Sequence, residues 1–430
     1  MADLIDLKEL EEKVILIAVS TGAEDDTPAS LEELSELAST AGAVTVGQVI
    51  QNREKVHPGT YLGKGKLEEV RALILDRRAT GVICDDELSP AQLRNLEDAL
   101  ETKIMDRTMV ILDIFVSRAS TREGKIQVEL AQLKYRAVRL VGMGRSMSRL
   151  GGGIGTRGPG EKKLELDRRL VHQRISQLKE ELEDVKRHRE VTRQQREKNF
   201  ALSAAIVGYT NAGKSTLLNR LTDAGILAED KLFATLDPTT RSYRMEDGQQ
   251  ILLTDTVGFI RKLPHHLIEA FKSTLEEARY SDIILHVVDC SNPQMDMQIH
   301  VVKETLKDLN IVDKTIVTVF NKVDRREELE AAGEKGLSQV PRDFSADYQV
   351  QISARTGEGV EELERTLQSI IRNRRVYLEK TFPYDQAGHI QAIRKYGQLL
   401  KEEYREDGVA VQAYVPAELF AGFYGREPSS

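Results

Sequence analysis

A short stretch near the middle of the chain places glycine, lysine and serine at a spacing that can hold phosphate. SAAIVGYTNAGKSTLLNRL (203–221) has the pattern of an apolar strand, a loop and a helix, and its centre fits G-x-x-x-x-G-K-[ST]. Gly208 and Gly213 would let successive backbone N–H groups and a helix N-terminus point at a β-phosphate. Lys214 would neutralise the β- and γ-phosphate oxygens, and the Ser215 hydroxyl would bind Mg²⁺.

A second motif follows the next apolar strand. LLTDTVGF (252–259) ends in Asp-Thr-Val-Gly, where Asp255 can hold a magnesium-bound water and the Gly258 N–H can reach a γ-phosphate. A glutamine commonly follows this motif in GTPases and orients the attacking water, but here the residue is Phe259. The catalytic water-orienting group is therefore unknown from the sequence. We expect slow hydrolysis by the isolated protein, below ~1 s⁻¹, and acceleration by a partner.

A third motif can recognise the base. TIVTVFNKVD (315–324) ends a strand in Asn-Lys-Val-Asp, and the Asp324 carboxylate can accept from guanine N1–H and the exocyclic amine. Adenine offers neither donor there, and sites built around buried polar pairs can reject the wrong partner by ~10⁴ or more. Lys322 should lie along the base, and Asn321 should tie this loop to the phosphate loop. VQISARTGEG (350–359) supplies backbone amides that can contact guanine O6. Four motifs in this order predict a GTPase domain.

The segment between the phosphate loop and DTVG should be the first switch. A threonine there must supply a hydroxyl to Mg²⁺ and an amide to the γ-phosphate. FATLDPTTR (233–241) offers Thr235, Thr239 and Thr240, and spacing alone does not choose among them.

The elements around these motifs predict a multidomain α/β protein. Residues 1–123 alternate strands (13–20, 43–50, 81–86) with amphipathic helices, which indicates a largely parallel sheet. Residues 124–200 predict a long antiparallel helical hairpin around a connection of roughly twenty residues. Residues 201–372 form the Ras-like P-loop GTPase domain. Residues 373–430 predict a small α/β domain with the strand VYLEKTF, a helix across HIQAIRKYGQLLKEEY and the strand GVAVQAYVP.

The predicted tip of the hairpin, GGGIGTRGPGEKK (151–163), contains G-x-G-x-x-G but does not support a dinucleotide fold, because no buried strand precedes it. A flexible solvated loop is one alternative. A second alternative uses the charge: residues 131–160 contain no Asp or Glu in a chain of net charge −8, and this suits a polyanionic partner. The basic side chains of this interval are Lys134, Arg136, Arg139, Arg145, Arg149 and Arg157. We favour contact with the phosphates of a nucleic acid through Arg145, Arg149 and Arg157.

Composition restricts the class of protein. The chain has 430 residues, 30% of them charged, and no apolar run of the ~20 residues that span a bilayer. Its acidic start fits neither a signal nor a transit peptide, and two distant cysteines argue for a reducing compartment. These features predict a cytoplasmic protein without membrane attachment, and we expect it to be a monomer.

Nearly the whole chain resembles the HflX family of GTPases. The resemblance rests on GTYLGKGKLEEV, DRTMVILDIFVSRA, GKIQVELAQLKYRAVRL, GGGIGTRGPGEKKLELDRRL, GYTNAGKS, FATLDPTTR, DTVGF and NKVD. It implies that FATLD is the first switch and that Thr235 binds Mg²⁺. It also implies binding to the large ribosomal subunit, with roles in splitting stalled or idle ribosomes or in subunit maturation. The expected GTP-binding residues are Gly208, Asn211, Ala212, Gly213, Lys214, Ser215, Thr216, Phe233, Thr235, Asp255, Gly258, Asn321, Lys322, Asp324, Ser353, Ala354 and Arg355.

Two alternatives remain open. A signalling or membrane-trafficking GTPase would carry a lipidation signal or a membrane helix, and neither is evident. The N-terminal domain could hold a second nucleotide at GTYLGKGK (59–66), but this stretch lacks the G-x-x-x-x-G-K-[ST] spacing and suits a turn before a helix.

Overall fold

The structure is a computed structural model of the 430-residue chain. It describes residues 11–22, 26–147, 159–198, 202–222, 231–264, 275–311, 313–326 and 342–424. The chain divides into two compact units. The first comprises Met1–Val185, Glu229–Asp237 and Ile260–Lys272, and the second comprises Lys186–Ala228, Pro238–Phe259 and Ser273–Ser430.

The first unit contains a four-stranded parallel sheet in the order β2-β1-β3-β4. Its strands are β1 (Glu12–Ser20), β2 (Ala43–Asn52), β3 (Gly81–Cys84) and β4 (Lys103–Asp106), and its helices are α1 (Thr27–Thr40), α2 (Lys64–Arg77), α3 (Pro90–Leu100) and α4 (Arg107–Arg118). The predicted parallel α/β arrangement is confirmed. The stretch around Met109 is helix α4, which begins because the Asp106 carboxylate accepts a hydrogen bond from Met109 N at 2.9 Å.

The helical hairpin consists of α5 (Arg122–Met147) and α6 (Pro159–Lys198). Ile126 and Leu130 of α5 form a buried cluster with Ile175 and Leu178 of α6, as the helical spacing of these apolar residues predicts. The connection, residues 148–158, is shorter than predicted and lies outside the described residues, as do residues 151–158 of the predicted glycine-rich tip, whereas residues 159–163 belong to α6.

The second unit contains a six-stranded sheet in the order β10-β9-β8-β5-β7-β6, in which only β6 is antiparallel to its neighbour. The strands are β5 (Leu202–Gly208), β6 (Thr239–Arg244), β7 (Gln250–Asp255), β8 (Ile283–Asp289), β9 (Thr315–Asn321) and β10 (Tyr348–Gln351). The helices with described bounds are α7 (Lys214–Thr222), α8 (Met295–Asp308) and α9 (Val360–Asn373). Because β5, β7, β8, β9 and β10 run parallel, their carboxyl ends share one edge of the sheet, and the sequence motifs follow these ends.

The C-terminal part of the second unit is a three-stranded antiparallel sheet in the order β11-β13-β12. It comprises β11 (Val376–Phe382), α10 (Ala387–Tyr396), β12 (Gln398–Arg405), β13 (Gly408–Val415) and α11 (Ala417–Tyr424). The prediction of one helix across residues 389–404 is wrong in its second half. Gly397 ends α10 in extended backbone, and QLLKEEYR then pairs with β13, so sheet pairing overrides the helical propensity of these residues.

No helix in the described ranges is both long and apolar enough to cross a bilayer. Cys84 and Cys290 are buried and unbonded. Burial is the main cause that raises the pKa of both thiols, to about 12 for Cys290. Both therefore stay protonated at neutral pH and pack as small apolar groups.

Candidate nucleotide-binding and hydrolysis site

The phosphate loop connects β5 to α7. Its shape depends on two glycines, Gly208 and Gly213, whose φ angles are both positive. Gly208 has φ 156° and Gly213 has φ 94°. A β-carbon at Gly208 would collide with the carbonyl of Val287, and one at Gly213 would collide with the Asn321 side-chain amide. Glycine is thus required at both positions by close backbone packing as well as by φ. Asn211, between them, has φ 60°, and Ala212 is buried.

Lys214 and Ser215 begin helix α7, with Thr216 in its first turn. The Lys214 ammonium donates to the carbonyls of Gly208 (3.2 Å) and Tyr209 (2.8 Å), which curls the side chain back over the loop. Burial lowers the pKa of Lys214 to about 8, while the charge of Asp255 opposes this shift. A buried, weakly paired cation at a helix N-terminus is suited to an anionic ligand.

Ser215, in the first turn of α7, lies beside Asp255, the last residue of β7. The Ser215 hydroxyl donates to Asp255 Oδ2 at 2.7 Å, and the Asp255 residue is fully buried. Hydroxyl and carboxylate oxygens are the hard donors that Mg²⁺ prefers, and Mg²⁺ usually keeps several waters. The pair therefore fits a magnesium ion bound directly by Ser215 and through water by Asp255. Within the described ranges, no cluster of three or more His, Cys, Asp or Glu side chains offers a different kind of metal site.

The DTVGF segment is joined to the phosphate loop by backbone hydrogen bonds. Phe259 N donates to Gly208 O (3.1 Å), and Thr210 N donates to Phe259 O (2.8 Å). The Phe259 side chain is 2% exposed, so it is packed inside the protein. Phe259 therefore anchors the loop and offers no polar group to a water molecule, as the sequence predicts.

Asn321, at the end of β9, connects the base-recognition loop to the phosphate loop. Its side-chain amide donates to Ala212 O at 2.8 Å, and its Oδ1 accepts from Ala354 N at 2.9 Å. The predicted tie is present, and it extends to the Ser353-Ala354-Arg355 segment. Ser353 is fully buried, and its Oγ accepts from Thr356 N at 3.1 Å. Three motifs distant in sequence are thereby held at one edge of the sheet.

Lys322 is positioned by a carboxylate that lies outside the four sequence motifs. Asp289 Oδ2, at the end of β8, lies 2.8 Å from the Lys322 ammonium. Asp289 Oδ1 accepts from Ser291 N (2.9 Å) and Ser291 Oγ (2.6 Å), which fixes the carboxylate. Lys322 has φ 67°, an unusual conformation for a residue with a β-carbon. The sequence does contain a signal for this site, because VVDCS (287–291) places a polar residue, Asp289, at the end of an apolar strand.

Asp324 and Arg355 lie at the outer side of this loop. Arg355 Nη1 is 4.0 Å from Asp324 Oδ2, and the Arg355 side chain is 79% exposed. Arg220 of α7 donates to the carbonyls of Ala354 (3.2 Å) and Arg355 (2.5 Å). These hydrogen bonds fix the backbone of the segment whose Ala354 N donates to Asn321.

Phe233 and Thr235, the predicted first-switch residues, belong to the first unit. Phe233 has φ 54°, is 2% exposed, and packs edge-on against Phe115 of α4 with ring centroids 4.7 Å apart. Leu236 is also buried, so Thr235 lies between two apolar anchors. Of the other threonines considered, Thr240 is in β6, where its hydroxyl shares a 2.9 Å hydrogen bond with that of Thr254.

Asp237 completes the attachment of this segment. Its Oδ2 accepts from Ser120 N (2.8 Å), Ser120 Oγ (2.7 Å) and Thr121 N (2.8 Å), and its Oδ1 accepts from Thr121 Oγ1 (2.5 Å). Burial alone would raise the pKa of Asp237, but the hydrogen bonds from Thr121 and Ser120 outweigh it and lower that pKa. Thr121 Oγ1 in turn accepts from Gly124 N at 3.0 Å and caps helix α5.

The residues after Phe259 are also held in the first unit. Lys262 lies 2.6 Å from Asp85 Oδ2 and 2.7 Å from Asp86 Oδ1, and Arg261 lies 2.9 Å from Asp26 Oδ2. Burial lowers the pKa of Lys262, but the charges of Asp85 and Asp86 together raise it above its usual value. These charged pairs hold Arg261 and Lys262 against the first unit's sheet region.

The basic interval of the hairpin is not uniformly available to a partner. Arg139 pairs with buried Asp106 at 2.6 Å, and its guanidinium stacks 3.3 Å above the Tyr135 ring. Arg139, one of the six basic residues of this interval, is therefore held by Asp106 and Tyr135. Arg145 lies in α5, but its side chain is outside the described residues, as are Arg149 and Arg157 altogether.

The glycine- and lysine-rich stretch of residues 59–66 forms a turn followed by a helix. Gly63 is the N-cap of α2, which begins at Lys64, and Gly63 N donates to Gln51 Oε1 at 2.8 Å. Tyr61, with φ 62°, is buried, and its hydroxyl donates to Asp86 at 2.6 Å. The turn-before-helix interpretation of this stretch is confirmed.

Comparisons with known proteins agree with this geometry. Family models match residues 28–116 (GTP-binding GTPase N-terminal), 118–196 (GTP-binding GTPase Middle Region) and 203–322 (50S ribosome-binding GTPase). The GTPase HflX of Lacrimispora saccharolytica is 72% identical over 98% of this chain and 97% of its own length. The GTPase HflX of Escherichia coli is 38% identical over 99% of each chain.

A solved GTP-binding protein from Sulfolobus solfataricus in complex with GDP is 24% identical, with a TM-score of 0.43 over 83% of this chain and 98% of that chain. The nucleotide site is assembled from four motifs, and the bacterial relatives align with nearly the whole chain. The chain therefore belongs to the HflX family of GTPases.

Proposed function

We propose that this GTPase binds the large ribosomal subunit in the cytoplasm and couples GTP binding and hydrolysis to ribosome splitting, rescue or subunit maturation. The observation that carries the proposal is the presence in one chain of the assembled nucleotide site and a two-helix hairpin whose connection is rich in arginine and glycine. The match of residues 203–322 to a family model described as a 50S ribosome-binding GTPase supports it.

Guanine would be recognised by Asp324, with Lys322 along the base and the amides of Ser353, Ala354 and Arg355 at O6. The Asn321 bonds to Ala212 O and Ala354 N support this role, because they hold both loops around one cleft edge. The phosphates would bind backbone amides of the phosphate loop other than that of Thr210, together with the Lys214 ammonium and the Gly258 N–H.

Ser215 and Thr235 would bind Mg²⁺ directly and Asp255 would bind it through water; the ion, when bound, neutralises charge on the phosphate oxygens. Phe233 flanks Thr235 in the first switch. Because Phe259 is buried and apolar, we expect hydrolysis by the isolated protein to stay below ~1 s⁻¹ and to rise when the large subunit is added.

The hairpin would reach ribosomal RNA. Helix α5 has 26 residues, which corresponds to about 39 Å at 1.5 Å per residue, so its end at Met147 lies far from its start at Arg122. Arg145, Arg149 and Arg157 would pair with RNA phosphates, and the intervening glycines would let the backbone approach.

Sedimentation through sucrose gradients tests the proposal. Ribosomes are incubated with the protein and GTP, GDP or a non-hydrolysable GTP analogue, and the positions of the protein and of the subunits are recorded. We expect the protein to travel with the large subunit most strongly in the GTP-like state. Separation of the subunits only in that state would support splitting. Absence of the protein from ribosomal fractions in every state would contradict the ribosomal role and favour a signalling-type switch.

A triple variant, Arg145→Ala, Arg149→Ala and Arg157→Ala, examines the hairpin. It should weaken large-subunit binding and flatten its dependence on salt, because fewer counterions are released. The control, Arg168→Ala, Arg169→Ala and Lys179→Ala, removes the same charge from exposed positions of α6. Equal losses in both variants would indicate a nonspecific charge effect.

A further inference from the structure

Thr210 carries a buried hydroxyl that nothing in the described part of the protein uses. The residue is 6% exposed, and its Oγ1 is shielded from solvent without a hydrogen-bond partner among the described residues. A buried unsatisfied hydroxyl costs about 1–3 kcal/mol, and valine would fill the same space without that cost. The position therefore calls for a ligand that the hydroxyl can bind.

The location of Thr210 identifies the kind of ligand. A β-carbon built on Gly258 would lie 2.8 Å from Thr210 Cα and Cγ2 and 3.0 Å from Lys214 Nζ, so these three residues meet at one point. Lys214 and the Gly258 amide are the groups that address the γ-phosphate in this arrangement. Thr210 thus lies beside the two groups that the sequence motifs assign to the γ-phosphate.

The backbone of Thr210 cannot serve the phosphate, because its N–H already donates to Phe259 O at 2.8 Å. The same bond fixes the Thr210 main chain beside Phe259, the residue that stands where a water-orienting glutamine is common. A hydroxyl both donates and accepts hydrogen bonds, so it can hold a water molecule in a defined orientation.

We propose that the Thr210 hydroxyl positions the attacking water for GTP hydrolysis. The water oxygen forms the new bond to the γ-phosphorus as the bond from phosphorus to the β–γ bridging oxygen breaks, which leaves GDP. Both protons of the water leave with the inorganic phosphate. Thr210 accepts a hydrogen bond from the water and takes no proton. This proposal rests on the GTPase activity alone and does not require the ribosomal role.

The test uses the full chain without ribosomes and compares Thr210→Val with Thr210→Ser in single-turnover GTP hydrolysis, GDP binding and thermal unfolding. Thr210→Val should slow hydrolysis by at least about tenfold, the value of one hydrogen bond of ~1.4 kcal/mol in the transition state. It should leave GDP affinity within about twofold and Tm unchanged or raised, since no protein hydrogen bond is lost. Thr210→Ser keeps the hydroxyl and should retain a rate within about threefold.

Thr318→Val is the matched control. Thr318 is fully buried in β9, and its hydroxyl donates to Asp343 Oδ2 at 2.8 Å, so this variant should lower Tm but leave hydrolysis per folded molecule unchanged. An unchanged rate in Thr210→Val would overturn the proposal. So would equal rate losses in Thr210→Val and Thr210→Ser, or a rate loss in Thr210→Val that is matched by weaker GDP binding and a lower Tm.

Discussion

The carboxylate of Asp237 fills the space that a side chain at position 124 would need, and position 124 is a glycine. Any β-carbon on Gly124 would collide with Asp237 Oδ1. The carboxylate is thereby held against Ser120 and Thr121, immediately before helix α5. Glycine in the first turn of a helix normally lowers stability relative to alanine, so its presence here is explained by the carboxylate that it admits.

Gly124→Ala should therefore detach the segment around Asp237. The variant removes no hydrogen-bonding group, but the added methyl group displaces a charged acceptor of four hydrogen bonds. We expect a loss of about 1–3 kcal/mol in the free energy of unfolding and faster hydrogen exchange over residues 231–237. Gly65→Ala is the control, because Gly65 also lies in the first turn of a helix and a β-carbon there meets no atom within 4 Å. It should be neutral or stabilising by up to about 1 kcal/mol. Equal effects of the two variants would contradict the role of Gly124.

Nucleotide binding should weaken as the pH rises above about 8. Burial lowers the pKa of Lys214 to about 8, so the amine of the phosphate loop becomes neutral above that pH. Phosphate binding requires the ammonium form, so GDP binding must take up a proton and its affinity should fall by up to tenfold per pH unit.

Calorimetric titration of GDP between pH 7 and 9, in buffers of different ionisation enthalpy, measures both the affinity and the proton uptake. Lys214→Arg should bind more weakly but without this pH dependence, because a guanidinium stays charged. An affinity of the unsubstituted protein that is constant across the range would refute the prediction.

His286 should make the second unit sensitive to acid. It is 2% exposed in β8, and burial lowers its pKa to about 4, although Asp343 opposes the shift. Between pH 6.5 and 4 the unfolded chain binds a proton that the folded protein does not, so stability is complete above about 6.5 and declines as the pH falls. The decline from this residue is about 3 kcal/mol at 1.36 kcal/mol per pKa unit.

Chemical denaturation at several pH values between 7 and 4.5 measures this slope. His286→Gln removes the titration, so its unfolding free energy should decrease less steeply with acid than that of the unsubstituted protein. The comparison concerns slopes, because the substitution also changes packing at neutral pH. Parallel slopes would show that His286 is not the acid-sensitive group.

The sequence by itself determined the nucleotide chemistry, since each motif is local and follows a strand. The residue types at Gly208–Ser215, Asp255–Gly258 and Asn321–Asp324 define loops whose geometry depends on neighbours along the chain. Parallel strands bring their carboxyl ends to one edge, so the meeting of these loops also follows from the βαβ pattern. The Asn321 bond to Ala212 O confirms that expectation.

Only the tertiary structure decided which polar side chains form ion pairs or hydrogen bonds with residues that are distant in the sequence. Arg139 is one of six basic residues in the interval 131–160, but it is paired with Asp106. Asp289 and Lys322 come from different strands, and Asp237 meets Ser120 and Thr121 far back along the chain. Periodicity and local motifs do not predict such pairs, because the energy of a pair depends on burial and on contacts that form after the elements pack. The strand β12 shows the same limit: its residues favour a helix, and pairing with β13 prevails.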